Sequence, residues 1–163
     1  MPHFDCITTS EEETEALGES IAPYLSPGTV VALYGELASG KTCLTRGIVR
    51  HFYGDASVHS PTFTLVNEYG VPEKTVYHLD VYRLCEAEEL LHLGYEDFVE
   101  GSGICVIEWA DRVRALLPSK RLDVFLEHGG GDKRRLRFVN YCIDQGLWEA
   151  WVQDRQAEGL GAP

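Results

Sequence analysis

A three-layer α/β fold with a mostly parallel central sheet is what this chain predicts, on three observations. The first is the octapeptide Gly35-Glu36-Leu37-Ala38-Ser39-Gly40-Lys41-Thr42, of the form G-x-x-x-x-G-K-[ST]. The second is its setting. Thr29 to Tyr34 before it is apolar and β-branched, as a buried parallel strand should be. Leu44, Ile48, Val49 and Phe52 after it share one helical face. The third is another short apolar run, Ile104-Cys105-Val106-Ile107, that ends on an acid, Glu108. Strand, glycine loop and helix is the context that makes the octapeptide a phosphate-binding P-loop, and the alternative is a surface glycine turn that happens to match.

The elements follow in order. Ser10 with Glu13 three residues on forms a capping box, and Leu17, Ile21 and Leu25 continue the apolar stripe of a helix. Pro27-Gly28 ends that segment before the P-loop strand. Thr62 to Tyr69 and Thr75 to Tyr82 are β-like, with Gly70-Val71-Pro72-Glu73 as the turn of a hairpin. Residues 86–93 read as helix, with Leu90 and Leu91 inward and Gly94 as its cap. Ala110 to Leu117 reads as a short helix stopped by Pro118. Leu122 to Glu127 and Arg134 to Val139 alternate around Gly129-Gly130-Gly131, predicting a C-terminal β-hairpin. A helix at Gln145 to Gln153 follows. Residues 157–163 are small and polar and are expected to fray, which leaves residues 1–156 as a single domain.

Composition narrows the function classes. A length of 163 residues suits one hydrophobic core. No run approaches the ~18 apolar residues that span a membrane, and the first residues lack the basic and apolar regions of a secretion signal. Cytoplasmic residence with no membrane association is expected. Cys6, Cys43, Cys85, Cys105 and Cys142 are scattered, without a C-x-x-C pair, which argues against a disulfide framework or a zinc site. Cys43 stands out because a helix N-terminus can lower a thiol pKa, although an ordinary buried cysteine is the plainer reading. The net charge of −12 makes unaided gripping of a nucleic-acid backbone unfavourable.

The chemistry gathers at the P-loop. Gly35 and Gly40 allow backbone angles that turn successive N–H groups onto phosphate oxygens. Lys41 brings an ammonium to the β- and γ-phosphates, and Thr42 offers a hydroxyl to Mg²⁺. An acid at the end of a neighbouring strand completes such a metal shell, which makes Glu108 the candidate; a surface glutamate at a strand end is the other reading. Asp80 either orients water, binds metal through water, or is structural. His78 reads as a hydrogen-bonded structural histidine rather than a proton shuttle. Ser60-Pro61-Thr62-Phe63-Thr64 is either a nucleotide-sensing loop or a plain entry into a strand.

Several blocks coincide with one family. Leu33 to Leu37 with Gly40-Lys41-Thr42, Ser60 to Tyr69, His78-Leu79-Asp80-Val81-Tyr82-Arg83-Leu84 and Glu108-Trp109-Ala110-Asp111-Arg112 resemble the bacterial TsaE family of threonylcarbamoyladenosine biosynthesis ATPases. Glu88-Glu89-Leu90 with Leu93-Gly94 also fits, so the resemblance covers about residues 10 to 140. It implies a P-loop ATPase using ATP and Mg²⁺, working with TsaB and TsaD and touching tRNA only through that complex. It implies Lys41, Asp80 and Glu108 as catalytic residues and Thr42 and Glu108 as metal ligands. The implied nucleotide-binding set is Glu11, Gly35, Leu37, Ala38, Ser39, Gly40, Lys41, Thr42, Cys43 and Arg134, with Ser60 to Tyr69 as the switch loop. The chain departs from the family at Ala38-Ser39, where Gly-Ala is usual, and at Cys43, where a second Thr is common. Ala38 would take a positive φ less cheaply than glycine, by roughly 1 kcal/mol.

Two rival readings share the phosphate cradle. One is a small-molecule kinase, which needs an acceptor pocket and usually a basic lid. The short clusters Arg112-Arg114 and Lys133-Arg134-Arg135-Arg137 read more readily as solvated faces. The other is a non-hydrolysing module in which nucleotide only gates assembly.

Overall fold

The sheet is built by the alternation of side chains along its strands. In the computed structural model, residues 2–55, 57–61, 65–71, 74–84 and 86–161 are described, without the side chains of Val71 and Lys74. The expectations at Thr62, Phe63, Thr64, Pro72, Glu73 and Cys85 lie outside these residues. The elements are β1 (His3–Thr8), α1 (Glu11–Ile21), β2 (Val30–Tyr34), α2 (Lys41–Tyr53), β3 (Val66–Val71), β4 (Lys74–Asp80), α3 (Glu88–His92), α4 (Tyr95–Val99), β5 (Ile104–Glu108), β6 (Arg121–His128), β7 (Arg134–Asn140) and α5 (Gln145–Ala157). Short 3-10 segments lie at Ala22–Tyr24 and Ala110–Leu116.

One seven-stranded sheet runs in the order β1-β7-β6-β2-β5-β4-β3. Its centre, β6-β2-β5-β4, is parallel, and β7, β1 and β3 add antiparallel margins. All five residues of β2 are buried, as expected for a central strand covered on both faces. Val31 and Leu33 of β2, Val106 of β5 and Val124 of β6 face α1, α2 and α5. Val30, Ala32, Cys105 and Ile107 face α3, α4 and the Ala110–Leu116 segment. The three layers and the C-terminal hairpin β6–β7 are therefore present as the sequence predicts. Among the described residues no helix is long and apolar enough to cross a membrane.

The helices on the P-loop side are locked together. Gly18 of α1 and Gly47 of α2 meet at the crossing; a Cβ on Gly47 would overlap the Glu15 carbonyl, and one on Gly18 the Leu44 carbonyl. Beside the crossing, buried Glu15 pairs with Arg50 and, at 3.7 Å, with Arg46. Ser10 caps α1 by accepting from Glu13 N–H, as predicted. Glu13 reaches back one residue further than a standard capping box, accepting from the N–H and hydroxyl of Thr9 at 2.6 and 3.0 Å.

Several details differ from expectation. Strand β1 was not anticipated; it hydrogen-bonds β7, with Phe4, Cys6 and Thr8 buried. Of the strand expected over Thr62 to Tyr69, Leu65 is a bend and the described strand begins at Val66. The helix expected over 86–93 is only Glu88–His92, and Gly94, at φ 86°, leads into a second short helix, α4. At the C-terminus α5 runs to Ala157, Leu160 packs against the core and Gly161 bridges Cys6 of β1, so this part of the segment expected to fray is held. Trp151 of α5 anchors that end, with ring centroids 5.2 Å from Phe4 and 5.1 Å from Phe138.

Candidate functional site

Three parallel strands deliver the site at their carboxyl ends, the usual position for a ligand in such a sheet. β2 ends in the P-loop, β5 ends at Glu108 and β4 ends at Asp80, directly across from Glu108 in register. Alternation places Val76, His78 and Asp80 of β4 and Val106 and Glu108 of β5 on the α2 face.

The glycines have separate reasons. A Cβ on Gly35 would lie 2.5 Å from both the Leu126 carbonyl and Ser39 Oγ, so the loop closes only without one. Gly40, at φ 106°, is the N-cap of α2 and turns the chain into a 13-residue helix whose N-terminus faces the cleft. Ala38 sits at φ 60°, in the left-handed region where the sequence placed its departure from the family. Lys41 is buried and donates to the carbonyls of Gly35 at 2.6 Å and Glu36 at 2.9 Å. Its Nζ also lies 4.0 Å from the centre of the Trp109 ring. Burial pushes its pKa down, and the carboxylates of Glu108, Asp80, Glu36 and Asp111 push back.

The metal candidates are adjacent. Thr42 Oγ1 lies 3.2 Å from both carboxylate oxygens of Glu108. Glu108 is buried, and its Oε2 is joined to Nε2 of fully buried His78. Asp80, also buried, accepts from Ser60 Oγ at 2.6 Å and from Tyr82 N–H at 3.0 Å. The Asp80 amide in turn donates to the Leu65 carbonyl at 3.0 Å.

Lys41, Thr42, Glu108, Asp80, Ser60 and Tyr82 border one cleft of about 340 Å³. Leu37 to Cys43, Asp80, Glu108, Glu11 and Arg134 all line it, so of the expected catalytic, metal and nucleotide-binding residues Gly35 alone does not. Arg134 supplies part of the wall while its Nη1 donates to the carbonyls of Gly131 and Lys133, both at 2.8 Å. Cys43 is half-buried in the first turn of α2, and burial together with Glu11 raises its thiol pKa, in line with the plainer reading of an ordinary cysteine.

The residues present fit a magnesium–nucleotide. Ser39 Oγ is a buried hydroxyl with no hydrogen-bond partner among the described residues. Thr42 and Glu108 are oxygen donors of the hard-cation type. No cluster of three or more His, Cys, Asp and Glu among the described residues could hold a metal alone. Sequence reasoning missed Tyr82 and Trp109, whose rings stand 4.7 Å apart on the cleft wall. Both lie in the blocks His78 to Leu84 and Glu108 to Arg112, so the signal was there without a role attached. It also missed Ser10, Thr14 and Asp132, which line the cleft.

Comparison with known proteins agrees with this architecture. The sequence profile described as "Threonylcarbamoyl adenosine biosynthesis protein TsaE" matches residues 8–136. The tRNA threonylcarbamoyladenosine biosynthesis protein TsaE of Bacillus subtilis is 37% identical over 132 residues, covering 81% of this chain and 82% of that one. Its namesake in Rickettsia bellii is 39% identical over 141 residues, covering 86% and 97%. The crystal structure of Bacillus subtilis YdiB matches with a TM-score of 0.76 at 28% identity, covering 97% of each chain. The chain belongs to the TsaE family of tRNA threonylcarbamoyladenosine biosynthesis proteins.

Proposed function

We propose that this chain is a Mg²⁺-dependent ATPase, an accessory subunit that serves tRNA threonylcarbamoyladenosine formation in the cytoplasm together with TsaB and TsaD. The observation that carries the reading is the contact of Thr42 with Glu108 at 3.2 Å in the cleft that also holds Lys41 and Asp80. Mg²⁺ bound at Thr42 and Glu108 would neutralise charge developing on the β- and γ-phosphates.

The protein's own groups do the remaining work. P-loop N–H groups and the α2 N-terminus bind the phosphates. Lys41 is already desolvated, and a phosphate oxygen is a stronger acceptor for its ammonium than the two loop carbonyls it holds. Asp80 receives two donors, Ser60 Oγ–H and Tyr82 N–H, which fix its carboxylate as an acceptor able to orient water for in-line attack. The segment flanking Thr62 to Thr64 is tied to Asp80 at both ends, by Ser60 and by Leu65. A partner that contacts Ser60 or Leu65 thereby acts on Asp80, which supports a site that is slow alone and faster in the complex.

The test is ATP turnover with and without the purified TsaB–TsaD pair. Phosphate release that needs no acceptor molecule and rises with the pair is expected, whereas transfer to a small molecule would indicate the kinase. A Lys41→Ala variant turning over ATP as fast as the unmodified protein would overturn the assignment.

A further inference from the structure

The strand pattern brings His78 beneath the metal candidates rather than beside the substrate. It stands two residues before Asp80 on β4, in register with Val106 of β5, and so lies diagonal to Glu108 on the same face of the sheet. It is 0% exposed and does not line the cleft. Its Nε2 meets Glu108 Oε2, and among the described residues its Nδ1 has no hydrogen-bond partner.

For a neutral imidazole these contacts select one tautomer. A neutral imidazole has one N–H and one bare nitrogen. With the proton on Nε2, the N–H donates to the carboxylate and only a bare lone pair is left unpaired. With the proton on Nδ1, a buried N–H would be orphaned and a lone pair would face an anion. Glu108 Oε2 is thus pinned from behind by His78. Both Glu108 oxygens lie 3.2 Å from the hydroxyl of Thr42 on the cleft wall, so fixing Oε2 fixes the whole carboxylate against Thr42. Such outer partners fix the orientation and basicity of a metal-binding carboxylate. The Tyr69 ring, 6.4 Å from the imidazole and tilted by 30°, flanks the histidine.

We propose that His78 is the positioning residue of this site, holding the Glu108 carboxylate in the orientation that takes the divalent cation, and so setting affinity for the metal rather than for the nucleotide. This rests on the reading of Thr42 and Glu108 as the metal ligands. It gives His78 a task distinct from water activation at Asp80.

The experiment titrates a fluorescent ADP analogue into the full chain, first in EDTA and then across a series of free Mg²⁺ concentrations. The variants are His78→Leu, His78→Gln and Glu108→Gln, each checked for folding by circular dichroism. His78→Leu is expected to raise the Mg²⁺ concentration for half-maximal effect by about 10- to 100-fold, with affinity in EDTA unchanged. His78→Gln, whose amide N–H can still donate to Glu108, is expected to recover most of that loss. An equal loss of affinity with and without Mg²⁺ would overturn the proposal, because it would mean that the imidazole only fills space. So would a Mg²⁺ response that His78→Leu leaves intact. Should His78→Leu not fold, His78→Asn takes its place, its shorter side chain falling short of Glu108. If the unmodified protein and Glu108→Gln respond to Mg²⁺ identically, the metal site itself fails and His78 loses its role with it.

Discussion

Replacing Ala38 by glycine should stabilise this protein, although glycine usually destabilises. Ala38 holds φ 60° in the P-loop, where an L-residue pays about 1–2 kcal/mol. Glycine removes that cost and adds its own, about 0.5–1 kcal/mol of extra backbone entropy lost on folding. Ala38 is exposed, so removing its methyl gives up little burial. The difference is a gain of about 0.5–1 kcal/mol, or about 1–4 °C in Tm for a domain of this size. Calorimetry and urea unfolding of Ala38→Gly without nucleotide measure it directly. A loss of stability on the same substitution would refute the reasoning, because it would place residue 38 at negative φ.

Other outcomes follow from the same geometry. Gly47→Ala places a methyl inside the Glu15 carbonyl and must push α1 off α2, costing about 3 kcal/mol or more in urea unfolding. Asp80→Asn keeps one acceptor oxygen, for the Tyr82 amide, and its NH₂ can donate to the Ser60 hydroxyl, but it loses the charge proposed to orient water. It is expected to lower kcat for ATP about 10²- to 10⁴-fold, with nucleotide affinity by calorimetry unchanged. Asp5 of β1 is held below the usual carboxylate range chiefly by hydrogen bonds from Arg137, against a smaller effect of burial. A depressed folded pKa gives stability that is present above the unfolded pKa of about 4 and lost as pH falls through the folded value. Asp5→Asn should therefore flatten the acid side of the stability profile. The pair is exposed, so the effect stays below about 1 kcal/mol when unfolding at neutral and acid pH is compared.

What was legible in the sequence is what is local. The P-loop, its strand and its helix occupy one continuous segment, and each fixed position has its own short-range cause. The apolar run ending at Glu108 was readable because parallel strands are buried on both faces. β1 was not readable, since an edge strand with Asp5 and Ile7 outward has meaning only once β7 lies beside it. The crossing of Gly18 and Gly47 was hidden for the same reason: two glycines 29 residues apart in sequence become a contact only after α1 packs on α2. At the site, Glu108 was legible as an acid ending a strand, whereas Asp80 was read inside a strand running to Tyr82 that in fact stops at Asp80. The position of His78 behind Glu108 depends on the β4–β5 register, which no single segment encodes.

Backbone strain supports treating this site as a switch rather than a rigid cradle. Among the described residues the non-glycine positions at positive φ are Ala38, Leu65 and Trp109, at 60°, 68° and 63°. They stand on three different loops, and all three loops meet at the cleft. Ala38 belongs to the P-loop, Trp109 follows Glu108 and covers Lys41, and the Leu65 carbonyl accepts from the Asp80 amide. Each such position costs on the order of 1–3 kcal/mol, and surrounding contacts must hold it. A random scatter of strain would not select the P-loop, the residue after Glu108 and the backbone partner of Asp80. Strain held there can be released when a contact on one loop changes. Coupling between the loops then runs through two anchored residues, Asp80 and Lys41, each already bonded to a neighbouring loop. Rate control by a protein partner therefore needs no new catalytic group from this chain, only a change in which of these contacts is held.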